Sequence, residues 1–100
     1  MNKKILTIQD IKTLVRPVAE KYRIKDICLF GSYARGEADE SSDLDFLVIG
    51  GEDFKSTMIF AFSEELRMIL KKEVDVFEVD EIDKDSDLYR NIMKEKITVV

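Results

Sequence analysis

LFGSYARGEADESSDLDFLV (Leu29–Val48) sets five carboxylates and two of the chain's four glycines between two apolar runs. The first apolar run predicts a strand that ends at Gly31-Ser32, and the second predicts a strand that begins at Asp43. Glycine lets a backbone approach a ligand closely, and the amides that follow such a turn bind anions. Gly31 and Ser32 are therefore candidates for binding phosphate, although Gly-Ser pairs are also common in ordinary turns.

Three aspartates on two predicted strands indicate a cation site. Asp43 and Asp45 are two residues apart, so on a strand both side chains leave the same face. Two neighbouring carboxylates repel each other unless a cation lies between them. Asp75 stands in the apolar run Val74–Phe77, where a buried charge without a partner is costly. A helical crossover would lay Asp75 beside the other two, and this geometry suits two divalent ions that hold a triphosphate.

The composition limits the chemistry of these carboxylates. The chain has 100 residues with no histidine and one cysteine, which excludes imidazole catalysis and zinc sites built from histidine or several thiolates. Asp and Glu are hard oxygen ligands that suit Mg²⁺ or Mn²⁺. The lone Cys28 lies in an apolar run, which predicts a packing role, and its isolation fits a reducing cytoplasm. No apolar run is long enough to span a membrane.

Hydrophobic periodicity predicts a single α+β domain over residues 1–100. The expected core is a small mixed β-sheet with strands in the order 1-2-3 and helices packed on it, and the short first connection favours an antiparallel pair. Pro17 lies inside the first helical pattern, so we expect a kink or two shorter helices there. The predicted helices cover residues 7–22, 33–37, 53–71 and 86–94, and the predicted strands cover residues 25–30, 43–49, 73–79 and the edge 97–100.

The spaced pattern GSxARGEAxxxSDLD, followed by Asp75 in an apolar strand, resembles the signature of the DNA polymerase β-like nucleotidyltransferases. Within that superfamily the chain is most similar to the minimal nucleotidyltransferases, which are often paired with a helical HEPN-domain protein in toxin–antitoxin loci. The resemblance extends over nearly the whole chain, including the single long helix before the third strand. It implies the palm-like nucleotidyltransferase fold and transfer of a nucleoside monophosphate, expected to be AMP from ATP.

The resemblance also implies a role for each matching residue. Gly31 and Ser32 would hold the β- and γ-phosphates of ATP or another nucleoside triphosphate. Asp43 and Asp45 would bind two Mg²⁺ ions. Asp75 would bind the catalytic ion and help to deprotonate the acceptor hydroxyl.

The other charged residues of this segment have plainer interpretations. Arg35 could contact phosphate or the partner, or it could pair with Glu37 or Asp39, and the sequence leaves these alternatives open. Glu37, Asp39 and Glu40 are expected to form a solvated turn.

The sequence predicts no acceptor-binding domain, because only roughly twenty residues follow the third predicted strand. The acceptor is therefore expected to be held by another chain or to be a small free molecule. The net charge is −5, and no stretch concentrates Lys and Arg among aromatic residues, so independent binding to nucleic acid is not expected.

Three functions fit these features. The first is an antitoxin enzyme that modifies a HEPN-type partner protein. The second is a binding module that neutralises the partner by occlusion, and the third is a small-molecule nucleotidyltransferase. The complete set of aspartates favours an enzyme. A site that no longer catalysed a reaction would have no reason to retain carboxylates that repel one another. Phe60 lies off the apolar stripe of the long helix and is either an ordinary exposed aromatic residue or a partner contact.

Overall fold

The chain folds around one β-sheet in the computed structural model, which describes residues 4–100. This is the α+β arrangement that the sequence predicts, and the first three residues of the predicted domain lie outside the described part. Short 3₁₀ turns lie at Ser56–Met58 and Val79–Glu81. The elements follow in the order α1 (Ile8–Lys21), β1 (Asp26–Phe30), β2 (Leu44–Ile49), α2 (Ile59–Leu70), β3 (Val74–Glu78), α3 (Asp87–Glu95) and β4 (Ile97–Thr98).

The sheet has the strand order β3-β2-β1-β4. β1 is antiparallel to both β2 and β4, whereas β2 and β3 are parallel and are connected through α2. The predicted antiparallel first pair and helical crossover are both present. The predicted order 1-2-3 holds for the first three strands but is incomplete, because the chain returns through α3 and β4 pairs with the side of β1 that faces away from β2.

Helices cover both faces of the sheet. On one face α1 and α2 pack against alternate strand residues such as Leu29 and Phe46, which are fully buried. On the other face Ile92 of α3 packs in a smaller cluster with Cys28 and Leu47. This coverage explains why β1 and β2 read as almost continuous apolar runs. Cys28 is buried, as predicted.

α1 begins with a capping box. The Asp10 N–H donates to Thr7 Oγ1 at 2.9 Å, and the Thr7 N–H donates to the Asp10 carboxylate at 3.0 Å. The helix then continues through Pro17, so the prediction of two shorter helices is wrong. A proline removes one helical hydrogen bond, but Val15 and Val18 are buried against the core, and this packing maintains the helix.

α2 begins at Ile59, later than the predicted residue 53, because a 3₁₀ turn occupies the preceding residues. Its inward face buries Phe62, Leu66 and Leu70, whereas Ile69 is 38 % exposed and lies at the margin of that face. Phe60 is 72 % exposed, as its position off the stripe predicts.

None of the described helices combines the length and the apolar character that crossing a membrane requires.

Candidate active site

The segment after β1 is a tight hydrogen-bonded turn, so the short helix predicted for residues 33–37 is wrong. The Arg35 N–H donates to the Gly31 carbonyl at 3.1 Å, and the Glu37 N–H donates to the Ser32 carbonyl at 2.9 Å. Gly31 and Gly36 bracket the turn with φ of +77° and +73°. This left-handed conformation ends a helical coil after about one turn, which is why no helix follows.

Three consecutive amides of this turn have no acceptor among the described residues. The N–H groups of Ser32, Tyr33 and Ala34 donate no hydrogen bond to another group within residues 4–100. Successive backbone amides in a helical turn carry partial positive charge and bind anions. The partly exposed Ser32 adds a hydroxyl donor to the same turn. The turn is thus suited to the phosphate-binding role that the sequence predicts for Ser32.

β2 and β3 bring two of the three candidate aspartates side by side. Asp45 and Asp75 are direct partners in the parallel register. Their neighbours Leu44 and Val74 are buried in the core on the α1–α2 side, so the two carboxylates leave the opposite face. Asp43 immediately precedes β2 and is exposed.

Asp75 is exposed rather than buried, so the burial cost inferred from the sequence is wrong. The reason is that β3 lies at the edge of the sheet, where a side chain has a strand on one side only. The proximity of Asp75 to Asp45 follows from strand register alone. Its exposure leaves the carboxylate accessible to a second molecule.

Negative charge is concentrated at Asp45. Its burial, followed by the nearby charges of Asp75 and Asp43, raises the pKa of Asp45 from 3.8 to about 6. The positive charge of Arg35 opposes this effect, and Glu95 adds a smaller unfavourable charge. A cation would relieve the repulsion, and carboxylate oxygens fit a hard divalent ion such as Mg²⁺.

The three carboxylates are too far apart to form a complete metal-binding site. Within the part of the chain that the structure describes, no three acidic or cysteine side chains converge closely enough to hold a metal ion. Asp43, Asp45 and Asp75 would have to draw together around an ion, which removes the repulsion that separates them.

Gly31 lacks a side chain at the point where the turn meets Asp45. A Cβ atom on residue 31 would lie 2.3 Å from Asp45 Oδ2, whereas a Cβ on Gly36 would have no atom within 4 Å. Only glycine therefore permits this close approach between the turn and the carboxylate. The approach joins the predicted phosphate-binding turn and the aspartate pair into one site.

Glu95, the last residue of α3, is a site residue that the sequence analysis missed. Its Oε2 accepts a hydrogen bond from Arg35 Nη1 at 2.9 Å, and its Oε1 accepts one from the Gly31 N–H at 3.1 Å. Both bonds lower the pKa of the Glu95 carboxyl, the Arg35 bond more strongly. The Gly31 N–H is thus already hydrogen-bonded to Glu95. What Gly31 contributes to the site is the absence of a side chain, which lets the turn approach Asp45.

Arg35 has the Glu37 partner that the sequence left open, since Arg35 Nε donates to Glu37 Oε1 at 2.8 Å. One signal could have pointed to Glu95. A carboxylate in the last turn of a helix faces the negative end of the helix dipole, which is locally unfavourable and indicates a tertiary partner.

The family model described as nucleotidyltransferase domain matches residues 11–99. The chain belongs to the nucleotidyltransferase family. The resemblance drawn from the Gly-Ser and Asp-Leu-Asp motifs is thereby confirmed, and so are the enzyme class and the predicted fold.

Two relatives and one solved structure illustrate the match. The chain is 39 % identical over 77 residues to a Methanocaldococcus jannaschii protein with the provisional name protein adenylyltransferase, covering 77 % of this chain and 83 % of that protein. It is 36 % identical over 77 residues to protein adenylyltransferase MntA of Thermococcus cleftensis, covering 72 % and 77 %. The fold is shared with a chain of a tri-AMPylated Shewanella oneidensis HEPN toxin in complex with MNT antitoxin, with a TM-score of 0.71, 16 % identity, and coverage of 94 % of this chain and 72 % of that one.

Proposed function

We propose that this chain transfers AMP from ATP to a hydroxyl group of a HEPN-type partner protein and thereby acts as its antitoxin. The observation that carries the proposal is the meeting of the Gly31–Ser32 turn with the Asp45–Asp75 pair at one end of the sheet. Support comes from the relatives named protein adenylyltransferases and from the fold shared with the complex of an AMPylated HEPN toxin and MNT antitoxin.

Each site residue then has a defined task. Ser32 and the amides that follow it bind the β- and γ-phosphates. Asp43 and Asp45 hold two Mg²⁺ ions, with Asp75 as the third carboxylate. When bound, the ions neutralise the triphosphate and increase the electrophilicity of the α-phosphorus.

The transfer step exchanges one phosphorus–oxygen bond for another. The acceptor oxygen bonds to the α-phosphorus while the bond from that phosphorus to the α–β bridging oxygen breaks, and pyrophosphate leaves. The hydroxyl proton passes to the Asp75 carboxylate, which acts as general base. The exposed position of Asp75 on an edge strand suits this task, because the acceptor must approach from a separate molecule.

A groove between α2 and β3 supports a protein as the acceptor. Phe60, Ser63 and Asp75 are among the residues that line it. Aromatic side chains that become buried on binding often dominate the energy of an interface. The groove therefore places a partner anchor, the exposed Phe60, beside the edge strand that carries Asp75, whose carboxylate leaves the sheet on the opposite face.

The test is intact-mass spectrometry of a HEPN-family protein encoded next to this chain, after incubation with the chain, Mg²⁺ and ATP. We expect a mass gain of one or more AMP units. Asp45→Asn should abolish the gain, and Asp75→Asn should reduce transfer more strongly than ATP binding. Asp80→Asn is the matched control, because it removes an exposed carboxylate from the 3₁₀ turn after β3.

Two other results would contradict the proposal. A partner that stays unmodified but is inhibited would identify an occlusion module. AMP transfer to a small hydroxyl compound, with the partner neither modified nor inhibited, would identify a small-molecule nucleotidyltransferase.

A further inference from the structure

Glu95 ties the end of α3 to the turn after β1 through both of its carboxylate oxygens. One accepts the Gly31 N–H at 3.1 Å and the other accepts Arg35 Nη1 at 2.9 Å. The Glu95 side chain is 19 % exposed, whereas Glu37, the other carboxylate on Arg35, is 65 % exposed. The Glu95 bridge is therefore a shielded tertiary contact, unlike the ion pair with Glu37, which lies at the surface.

The bridge also fixes the direction of Arg35. A guanidinium carries five N–H donors in a rigid plane, so one firmly held position limits where the others point. Arg35 Nη1 is held by the shielded Glu95, whereas Arg35 Nε donates to the exposed Glu37, a surface pair that constrains the guanidinium only weakly. The positive charge of Arg35 also opposes the rise in the pKa of Asp45, so the guanidinium lies close enough to act electrostatically on that carboxylate.

We propose that Glu95 is a positioning residue for the nucleotide, which holds the Gly31 turn and the Arg35 guanidinium in the orientation that binds the β- and γ-phosphates. The inference rests on the proposed function, because it takes a nucleoside triphosphate as the ligand of the turn. Glu95 itself does not touch the ligand. Its loss weakens the contacts to the phosphates and leaves the contacts to base and sugar intact.

A blocking role for Glu95 predicts the opposite. A carboxylate on the Gly31 amide resembles a phosphate oxygen, and removal of a blocking group would tighten triphosphate binding. The turn favours positioning, because the amides of Ser32, Tyr33 and Ala34 are not engaged within the described residues. Phosphate can therefore bind the turn while Glu95 stays in place.

The experiment compares binding of Mg²⁺-ATP and of AMP to the full chain by isothermal titration calorimetry. Glu95→Gln keeps the size of the side chain and an acceptor for the Gly31 amide, but it removes the charge that orients Arg35. We expect the Kd for Mg²⁺-ATP to rise about tenfold and the Kd for AMP to change less than about twofold. Glu37→Gln, on the exposed carboxylate of the same guanidinium, should change both values less than about twofold.

A double-mutant cycle tests the route through Arg35. In an Arg35→Gln background, Glu95→Gln should have little further effect on ATP affinity. Tighter ATP binding, equal losses of ATP and AMP affinity, or additive effects in the cycle would each overturn the positioning role. A parent chain that binds no Mg²⁺-ATP would overturn the proposed function as well, so the two failures are distinguishable.

Discussion

Replacement of Asp45 by asparagine should stabilise the metal-free fold at neutral pH. Burial and the charges of Asp75 and Asp43 raise the pKa of Asp45 from 3.8 to about 6 in the folded chain. Between these two values the folded state binds more protons than the unfolded state, so this group's contribution to stability falls as the pH rises. Above about pH 6 the full cost of the ionised carboxylate remains, and asparagine, which cannot ionise, removes it.

The size of the effect follows from the change in the pKa of Asp45. A difference of about 2 pH units corresponds to about 3 kcal/mol. Because Asp45 is only partly buried, solvent screens its charge, and we expect a gain of about 1–2 kcal/mol in the free energy of unfolding. For a domain of this size such a gain raises Tm by roughly 5–15 °C.

The assay is urea unfolding in EDTA at about pH 7.5 and about pH 4, with Asp80→Asn as the control for loss of one exposed carboxylate. The gain should be present at the higher pH and nearly absent at the lower one. Carboxyls with a lowered pKa, such as Glu95, contribute stability that is lost in acid in both the parent and the variant. Only the difference in the free energy of unfolding between the two proteins is therefore informative. A variant less stable than the parent at about pH 7.5, or equally stabilised at both pH values, would refute the reasoning.

Four further substitutions test local features of the structure by urea unfolding. Gly36→Ala should lower the free energy of unfolding by about 1–2 kcal/mol, because alanine is strained in the left-handed backbone conformation of that residue. Gly31→Ala should lower it clearly more, because its Cβ would also lie 2.3 Å from Asp45 Oδ2. Equal losses would contradict the close approach between the turn and Asp45. Thr7→Ala should cost about 1 kcal/mol by removing the cap of α1, and no loss would mean that the cap is dispensable. Lys71→Gly should stabilise the chain by about 0.5–1 kcal/mol, because Lys71 ends α2 with φ of +57°; a destabilised variant would show that its side chain matters more than its backbone.

Local signals in the sequence were sufficient for most of the secondary structure and were the basis on which the candidate site residues were proposed. The apolar runs around Asp45 and Asp75 identified the strands β2 and β3 that carry these two residues, whereas Asp43 lies just before β2. The Gly31-Ser32 pair marked the end of β1. These features depend on backbone periodicity and on glycine conformation, which neighbouring residues determine.

The extent of individual elements was harder to predict, because packing outweighs local preference. Pro17 indicated a break in α1, yet the buried face of the helix holds it continuous. The apolar spacing from Phe54 onwards suggested one long helix, yet the first part forms a 3₁₀ turn. The energy that decides such cases comes from contacts with residues distant in the sequence.

The sequence by itself determined the fold class and the family and pointed to three aspartates as candidate site residues, because all of these depend on short-range patterns and motifs. Only the tertiary structure decided that β4 pairs beside β1, that Asp75 is exposed on an edge strand, and that Glu95 bridges Gly31 and Arg35. The Glu95 contacts join residues 64 and 60 positions apart. No local preference encodes such a contact, since it arises when α3 packs across the sheet and brings its last carboxylate to the amide and the guanidinium.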